Sequence, residues 1–323
     1  MRRGLIRAAV GGPAAIVGGF LLRLTRRRAG LVLVYHHVVP DPRAGPVGPV
    51  HVTSRHYLTA QMRHLRRFYR VDSAREIVAA AGRRRCGRRF PVAVTFDDDL
   101  PSHPQTALPI LLGVGLPATF FVGGRGLRPL PELWWETLER GLSAGLAGEL
   151  AGELGLEPTD ERTAGWAMAD RLLELRPDER EAWRRRLEAR LGEPPERSGL
   201  TRSQLHVLVE AGCELGFHTL RHEDLRQLDD EELTRALSEG RDGLEQVAGR
   251  GLTAIAYPYG RADERVVQAA RRHGFEFGFT GRQEAVAPTT DPMRIGRVEP
   301  ASRSASDFAL ELVRHLASDG PRG

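Results

Sequence analysis

Seven short apolar, β-branched or aromatic runs recur along this 323-residue chain, each ended by turn residues. They are Leu31–Tyr35, Val92–Phe96, Ala118–Val122, Glu214–His218, Thr253–Tyr257, Glu276–Thr280 and Arg294–Val298. Most are separated by segments with a helical period. Residues 55–70 place Tyr57, Met62, Leu65 and Phe68 at mixed three- and four-residue steps, and 104–115, 201–212, 229–248, 262–273 and 305–317 read as helices too. Asp229 and Asp230 put negative charge where a helix N-terminus wants it. Strands that alternate with helices have parallel neighbours, because the chain must cross over between them. The expected fold class is therefore α/β, a distorted (β/α) barrel of about seven strands.

One stretch breaks the alternation. Residues 127–200 offer no strand and are rich in Leu, Ala, Glu and Arg, with Trp134, Trp135, Trp166 and Trp183. They are expected to be a helical insertion in a βα loop, acting either as a wall or lid of an active site or as a structural add-on. At the N-terminus, residues 8–22 are apolar and rich in Gly and Pro, with arginines on both sides. The run is shorter than the roughly 20 residues of a spanning helix. No small-residue cleavage site follows it, so a cleaved signal ranks last. The expected organisation is a basic, apolar leader over 1–29, disordered or lying on a membrane surface, then a catalytic domain over 30–318 and a tail over 319–323. The expected location is cytoplasmic or membrane-associated.

Composition narrows the chemistry. The chain has 47 basic residues and no lysine, so all are arginine, and it has no asparagine. A Schiff-base lysine, a P-loop and an N-glycosylation acceptor are all excluded. Residues 1–90 hold 19 Arg against Asp41, Asp72 and Glu76, while the remainder is net acidic. That asymmetry suggests an anionic partner for the N-terminal part, membrane or polymer. No nucleic-acid-binding module is recognisable. Cys86 and Cys213 stand far apart and outside any CxxC, which argues against a disulfide framework or a zinc ribbon. There is no GxSxG elbow for a serine hydrolase.

Three polar motifs sit at strand ends, where barrel enzymes keep catalytic residues. Thr95-Phe96-Asp97-Asp98-Asp99 follows the second run; three consecutive carboxylates repel unless a cation or proton relieves them. His218-Thr219-Leu220-Arg221-His222 follows the fourth, and two histidines four apart share a face if the segment is helical. Neutral imidazoles with a carboxylate suit zinc and similar divalent ions. Ala256-Tyr257-Pro258-Tyr259-Gly260 ends the fifth, and its Pro and Gly fix an irregular backbone able to aim N–H groups at a ligand.

In this order, the three motifs resemble those of the NodB-type polysaccharide deacetylases, carbohydrate esterase family 4: TFDDG, H-(S/T)-x-x-H and x-P-Y-G. Leu33-Val34-Tyr35-His36 is similar to the family's L-x-Y-H, and Pro117-Ala118-Thr119-Phe120-Phe121 to its ATFF strand. The resemblance covers most of 30–300 outside the insertion and implies the NodB type of deacetylase barrel. It implies a hydrolase that removes an N-acetyl group from an amino sugar or polysaccharide. It implies one divalent metal ion, expected to be zinc, held by Asp98, His218 and His222. Asp97 becomes the general base, and Tyr259, on the Pro258 turn, an oxyanion donor through its N–H. In relatives that begin with a Tyr-His strand the N-terminal His is the acid, which points to His36; His37, on the other side of a strand, reads as structural.

The chain departs from the family in three places. Asp99 stands where TFDDG has Gly; Asp tolerates left-handed backbone, but it brings extra negative charge towards the metal. Ala256 replaces an arginine that pairs with the base, and Arg297 is the candidate substitute. The C-terminal L-x-H motif is missing. Two other readings stay open: a related amidase or deformylase acting on a small molecule, and an inactive carbohydrate-binding relative.

Overall fold

The computed structural model describes residues 17–40, 50–128, 130–157, 161–192, 199–301 and 304–318. Residues 1–16 of the expected leader and the 319–323 tail lie outside the described residues. Helical backbone over residues 17–23 (α1) is followed by β1 (Leu31–Tyr35), β2 (His37–Val39), β3 (Val52–Ser54), α2 (Arg55–Phe68), β4 (Arg70–Val71), α3 (Ile77–Arg83) and β5 (Pro91–Asp97). Then come α4 (Leu108–Val114) and β6 (Thr119–Val122). Five helices come before the next strand, the first four being α5 (Trp134–Ser143), α6 (Ala147–Glu153), α7 (Glu161–Glu174) and α8 (Pro177–Leu191). The last stretch runs α9 (Arg202–Glu210), β7 (Glu214–Phe217), α10 (Asp230–Ser238), α11 (Arg241–Ala248), β8 (Ala254–Ala256), α12 (Glu264–Arg272), β9 (Phe277–Phe279) and α13 (Ala305–Ala317).

The main sheet is parallel throughout, in the order β1-β5-β6-β7-β8-β9, with β4 beside β5. Every residue of β5 is buried, as expected of a strand covered on both faces. The sheet curls into a half-barrel surrounded by helices, which agrees with the fold class read from the sequence.

The seventh expected strand is corrected. Arg294–Val298 forms no continuous strand, and the sheet's seventh member is the two-residue β4. The 294–298 segment instead makes isolated bridges to both edges, Ile295 with Phe279 and Val298 with Leu33. Two pairs of backbone bonds tie it down: Thr280 N–H to the Ile295 carbonyl and Ile295 N–H to Gly278, then Val34 N–H to Val298 and Val298 N–H to Val32. Between them Gly296 passes so close to its neighbours that a Cβ would lie 2.5 Å from the Arg282 carbonyl. The segment thus closes the barrel without completing a ladder.

Local chemistry explains the helix boundaries. Ser54, Thr201, Asp229, Asp263 and Ser304 each accept a first-turn N–H, which satisfies a donor the helix cannot. The expected helix over 229–248 is two, broken at Glu239–Gly240, where Gly240 adopts a φ of 83° against Leu220. The four helices α5–α8 bury a separate apolar cluster that includes Trp134, Trp135, Leu138, Met168 and Trp183. Val50 and Tyr259 pack against that cluster, so the helices between β6 and β7 are seated on the strand-end face of the barrel.

Candidate active site

Asp97 is the last residue of β5, and parallel strands bring its neighbours' ends alongside it. Its carboxylate is 2% exposed and takes both arms of Arg297, each at 2.6 Å. Such a paired fork fixes geometry as well as charge. Burial alone would push Asp97 up; Arg297 first, then His218 and His36, outweigh it and hold the carboxyl well below the usual carboxylate range. Arg297 reaches the site because the closing segment lies between β1 and β9.

Asp98 turns out of the strand with a left-handed φ of 75°. Its Oδ1 lies 3.5 Å from Nε2 of His218 and 3.5 Å from Nε2 of His222. These three residues offer donor atoms that all fall within 4.8 Å of one another. His218 Nδ1 lies 2.8 Å from the Ala256 carbonyl, which can only accept; the ring therefore donates there and turns Nε2 toward Asp98. His222 is held well below its usual pKa, by burial first and then by His218, and so stays neutral. Asp98 is pushed up, chiefly by burial. Two imidazole nitrogens and a carboxylate that converge in this way fit a divalent cation.

The route to this arrangement differs from the helical one. Residues 218–222 are not helix; Thr219 (φ 58°) and His222 (φ 49°) are both left-handed and fold the loop back so that the two imidazoles meet edge to face at 4.7 Å. Asp99 also differs from expectation. The left-handed residue of the motif is Asp98, not Asp99. The Asp99 carboxylate turns toward the loop after β6, where it accepts the N–H groups of Gly123 at 2.9 Å and Gly124 at 3.2 Å. Its charge is spent on positioning that loop.

Pro258 and Tyr259 lie in the turn after β8, and Tyr259 is left-handed at φ 58°. Its ring stands 4.7 Å from that of His222, and its hydroxyl accepts from the Trp134 indole at 3.0 Å. Burial pushes the phenol up to about 12, so it stays neutral. Ala256 supplies the carbonyl that orients His218, while Arg297 occupies the place beside Asp97.

His36 follows β1 and lines the same cleft. Its Nδ1 pairs with Glu299 Oε1 at 3.1 Å, and His51 Nε2 approaches the other oxygen at 3.0 Å. Burial pulls His36 down, but Glu299 and the charges of Asp98 and Asp97 outweigh it and push the ring up to about 9. His37 is neutral, its pKa lowered to about 4 by burial and then by His36. His103 is fully buried against Phe96 and Phe120, with Nε2 3.3 Å from the His36 carbonyl. The sequence reading missed Glu299 and His51. Glu299 lies two residues beyond Arg297, and alternate residues of an extended segment share a face, which was the available signal.

The cleft encloses about 340 Å³ and brings together Asp97, Asp98, His36, His218, His222, Arg297, Glu299 and Tyr259. Trp134, Trp135 and Trp166 from the inserted helices form an aromatic wall.

The family model described as polysaccharide deacetylase matches residues 187–278, a stretch that holds His218, His222 and Pro258–Gly260. The poly-beta-1,6-N-acetyl-D-glucosamine N-deacetylase of Staphylococcus epidermidis is 40% identical over 45 residues, 14% of this chain and 16% of that protein. The two curated matches span only 36% and 16% of those relatives' lengths. Among solved structures, the Streptococcus pyogenes deacetylase PplD, in complex with acetate, superposes with a TM-score of 0.59 at 18% identity, over 90% of this chain and 99% of that one. IcaB from Ammonifex degensii gives 0.54 at 22% identity, over 90% and 97%. The fold is that of these deacetylases, and the resemblance carried by the three motifs holds.

The Asp97–Arg297 pair makes a stability prediction. Because the folded pKa of Asp97 is depressed, the pair stabilises above the unfolded value near 3.8 and loses that contribution as pH falls through the folded one. Arg297→Ala strands a buried carboxylate and should cost about 3–5 kcal/mol in denaturant unfolding at pH 7, with the deficit shrinking below about pH 4. A variant as stable as the parent at pH 7 contradicts the pairing.

Proposed function

Proceeding from a chain with the fold and motifs of the polysaccharide deacetylases, we propose that it is a metal-dependent hydrolase that removes the acetyl group from an N-acetylated amino sugar, residues 30–318 forming its catalytic domain. The observation that carries this reading is the juxtaposition, in one cleft, of three elements: the Asp98–His218–His222 donor set, a clamped carboxylate at Asp97, and an imidazole at His36 paired with Glu299. An amide needs each of them: polarisation of its carbonyl, a base for water and an acid for the leaving nitrogen.

A divalent ion, zinc in this reading, bound by Asp98, His218 and His222 supplies Lewis acidity to the carbonyl and lowers the pKa of a water. Asp97 remains ionised beside Arg297 and keeps lone pairs on Oδ2, which faces His218 at 3.8 Å; it accepts the proton of the attacking water. A carboxylate held so low is a weak base, so Arg297 serves chiefly to keep it ionised and aimed. The Tyr259 N–H donates to the carbonyl oxygen as negative charge develops there. His36 gives its proton to the nitrogen as the C–N bond breaks, leaving acetate and a free amine. Glu299 sets both the charge and the orientation of His36. The aromatic wall suits the apolar face of a pyranose.

Acetate release from a panel of N-acetylated saccharides, with and without chelator, tests the reading. Chelator-sensitive release is expected. Turnover only of small N-acyl amides returns the amidase reading, and none from any substrate returns the inactive binding one.

The acid has its own signature. His36 acts protonated, so the rate falls as pH rises through its pKa. Glu299→Gln removes the main influence opposing burial and should move the alkaline limb of kcat/KM to lower pH by about one unit or more. An unmoved limb assigns the acid elsewhere.

A further inference from the structure

The N-terminal helix α1 is attached by one side only. Gly18 and Gly19 lie against Val313 of α13, where an added Cβ would meet its methyl groups at 3.4 and 3.5 Å. Leu22 packs on the main core, and the Arg23 guanidinium donates to the Phe68 carbonyl at the end of α2. Arg84, itself buried and lying 3.7 Å over the Phe90 ring, donates to the carbonyls of Arg23 at 2.8 Å, Thr25 at 3.1 Å and Arg27. A cation thus satisfies the carbonyls at and beyond the end of the helix.

Among the described residues, the other side is left largely uncovered. Val17, Phe20, Leu21 and Leu24 are 57%, 59%, 58% and 53% exposed. Their spacing is that of one helical face, an apolar stripe pointing away from the protein. Of the seven large hydrophobics exposed among the described residues, these are four, so the exposure is concentrated rather than scattered.

Arginines surround the stripe. Arg26 and Arg28 follow it and are exposed. Exposed Arg85, Arg88 and Arg89 lie on a loop held to the end of α1 by the Gly87 N–H to the Arg23 carbonyl at 2.7 Å. Arg89 in turn reaches the Arg66 carbonyl on α2. The two described acids of the first 90 residues are already matched, Asp72 with Arg70 and Glu76 with Arg83.

We propose that α1 and these arginines form a docking surface for an anionic lipid bilayer. The stripe enters the boundary between headgroups and acyl chains, and the arginines meet the lipid phosphates. No described helix is long and apolar enough to cross a membrane. Charge selects this occupant over a second copy of the chain: a two-fold contact through the stripe would set two arginine clusters face to face. A nucleic acid would match the charge and leave Phe20, Leu21 and Leu24 in water.

The test is co-sedimentation of the full chain with vesicles of phosphatidylcholine, alone or mixed with phosphatidylglycerol. The chain should bind the anionic vesicles at least about tenfold more tightly, and the difference should shrink as salt shortens the screening length. Phe20→Ser with Leu21→Ser, both exposed, should weaken binding at least about tenfold with an unchanged melting temperature. Arg26→Gln with Arg28→Gln and Arg88→Gln should remove the preference for anionic lipid. Equal affinity for both vesicle types, or no loss in the Phe20/Leu21 variant, overturns the proposal. So does self-association, or duplex DNA binding, in a chain that ignores vesicles.

Discussion

Two neighbouring carboxylates, Asp97 fully buried and Asp98 largely so, sit at the end of one fully buried strand, and the rest of the site answers that constraint. Burying an ionised carboxylate costs several kcal/mol unless a partner is close. Asp97 has its partner in Arg297. Asp98 faces the Nε2 atoms of His218 and His222, each at 3.5 Å, and has no arginine of its own. The unbalanced charge of Asp98 is what a divalent cation would satisfy. The partner of Asp97 arrives from far along the chain, on the segment that bridges β9 and β1. The same segment places Glu299 against His36 two residues on. Closing the barrel and setting the protonation of the candidate base and acid are therefore one structural event.

Backbone strain is gathered in the same place. Asp98, Thr219, His222 and Tyr259 are the non-glycine residues with positive φ among those described, and all four lie at the cleft. Each such residue costs about 1–3 kcal/mol and persists only where its surroundings hold it. Here the supports are visible: Asp99 anchors the loop after β6, the Ala256 carbonyl fixes His218, and Trp134 holds the Tyr259 hydroxyl. The inserted helices are thus more than an appendage, because their tryptophans brace one side of the site.

The sequence told strands from helices well wherever the pattern was periodic and both ends carried turn residues. Six runs became neighbouring parallel strands, since β-branched and aromatic side chains buried on both faces leave no alternative. It failed where hydrogen bonding, not residue type, decides. Arg294–Val298 reads like its neighbours, but it makes only single bridges, Ile295 with Phe279 and Val298 with Leu33. The two-residue β4 is too short to leave a pattern. At the site, residue types in order sufficed to gather Asp97, Asp98, His218, His222 and Tyr259. The arginine that the resemblance expects at Ala256 is absent, and the place of Arg297 at the end of the last apolar run made it the candidate substitute. The direction of the Asp99 side chain, the irregular path from His218 to His222, and the His36–Glu299–His51 chain were not legible, since each depends on backbone conformation at single residues.

The claim on which everything else rests is that the Asp98–His218–His222 triangle holds a divalent ion. Metal analysis of the purified full chain tests it most directly. About one divalent ion per chain is expected, retained in Asp99→Ala and lost in both Asp98→Ala and His218→Ala. Full metal occupancy in those two variants contradicts it.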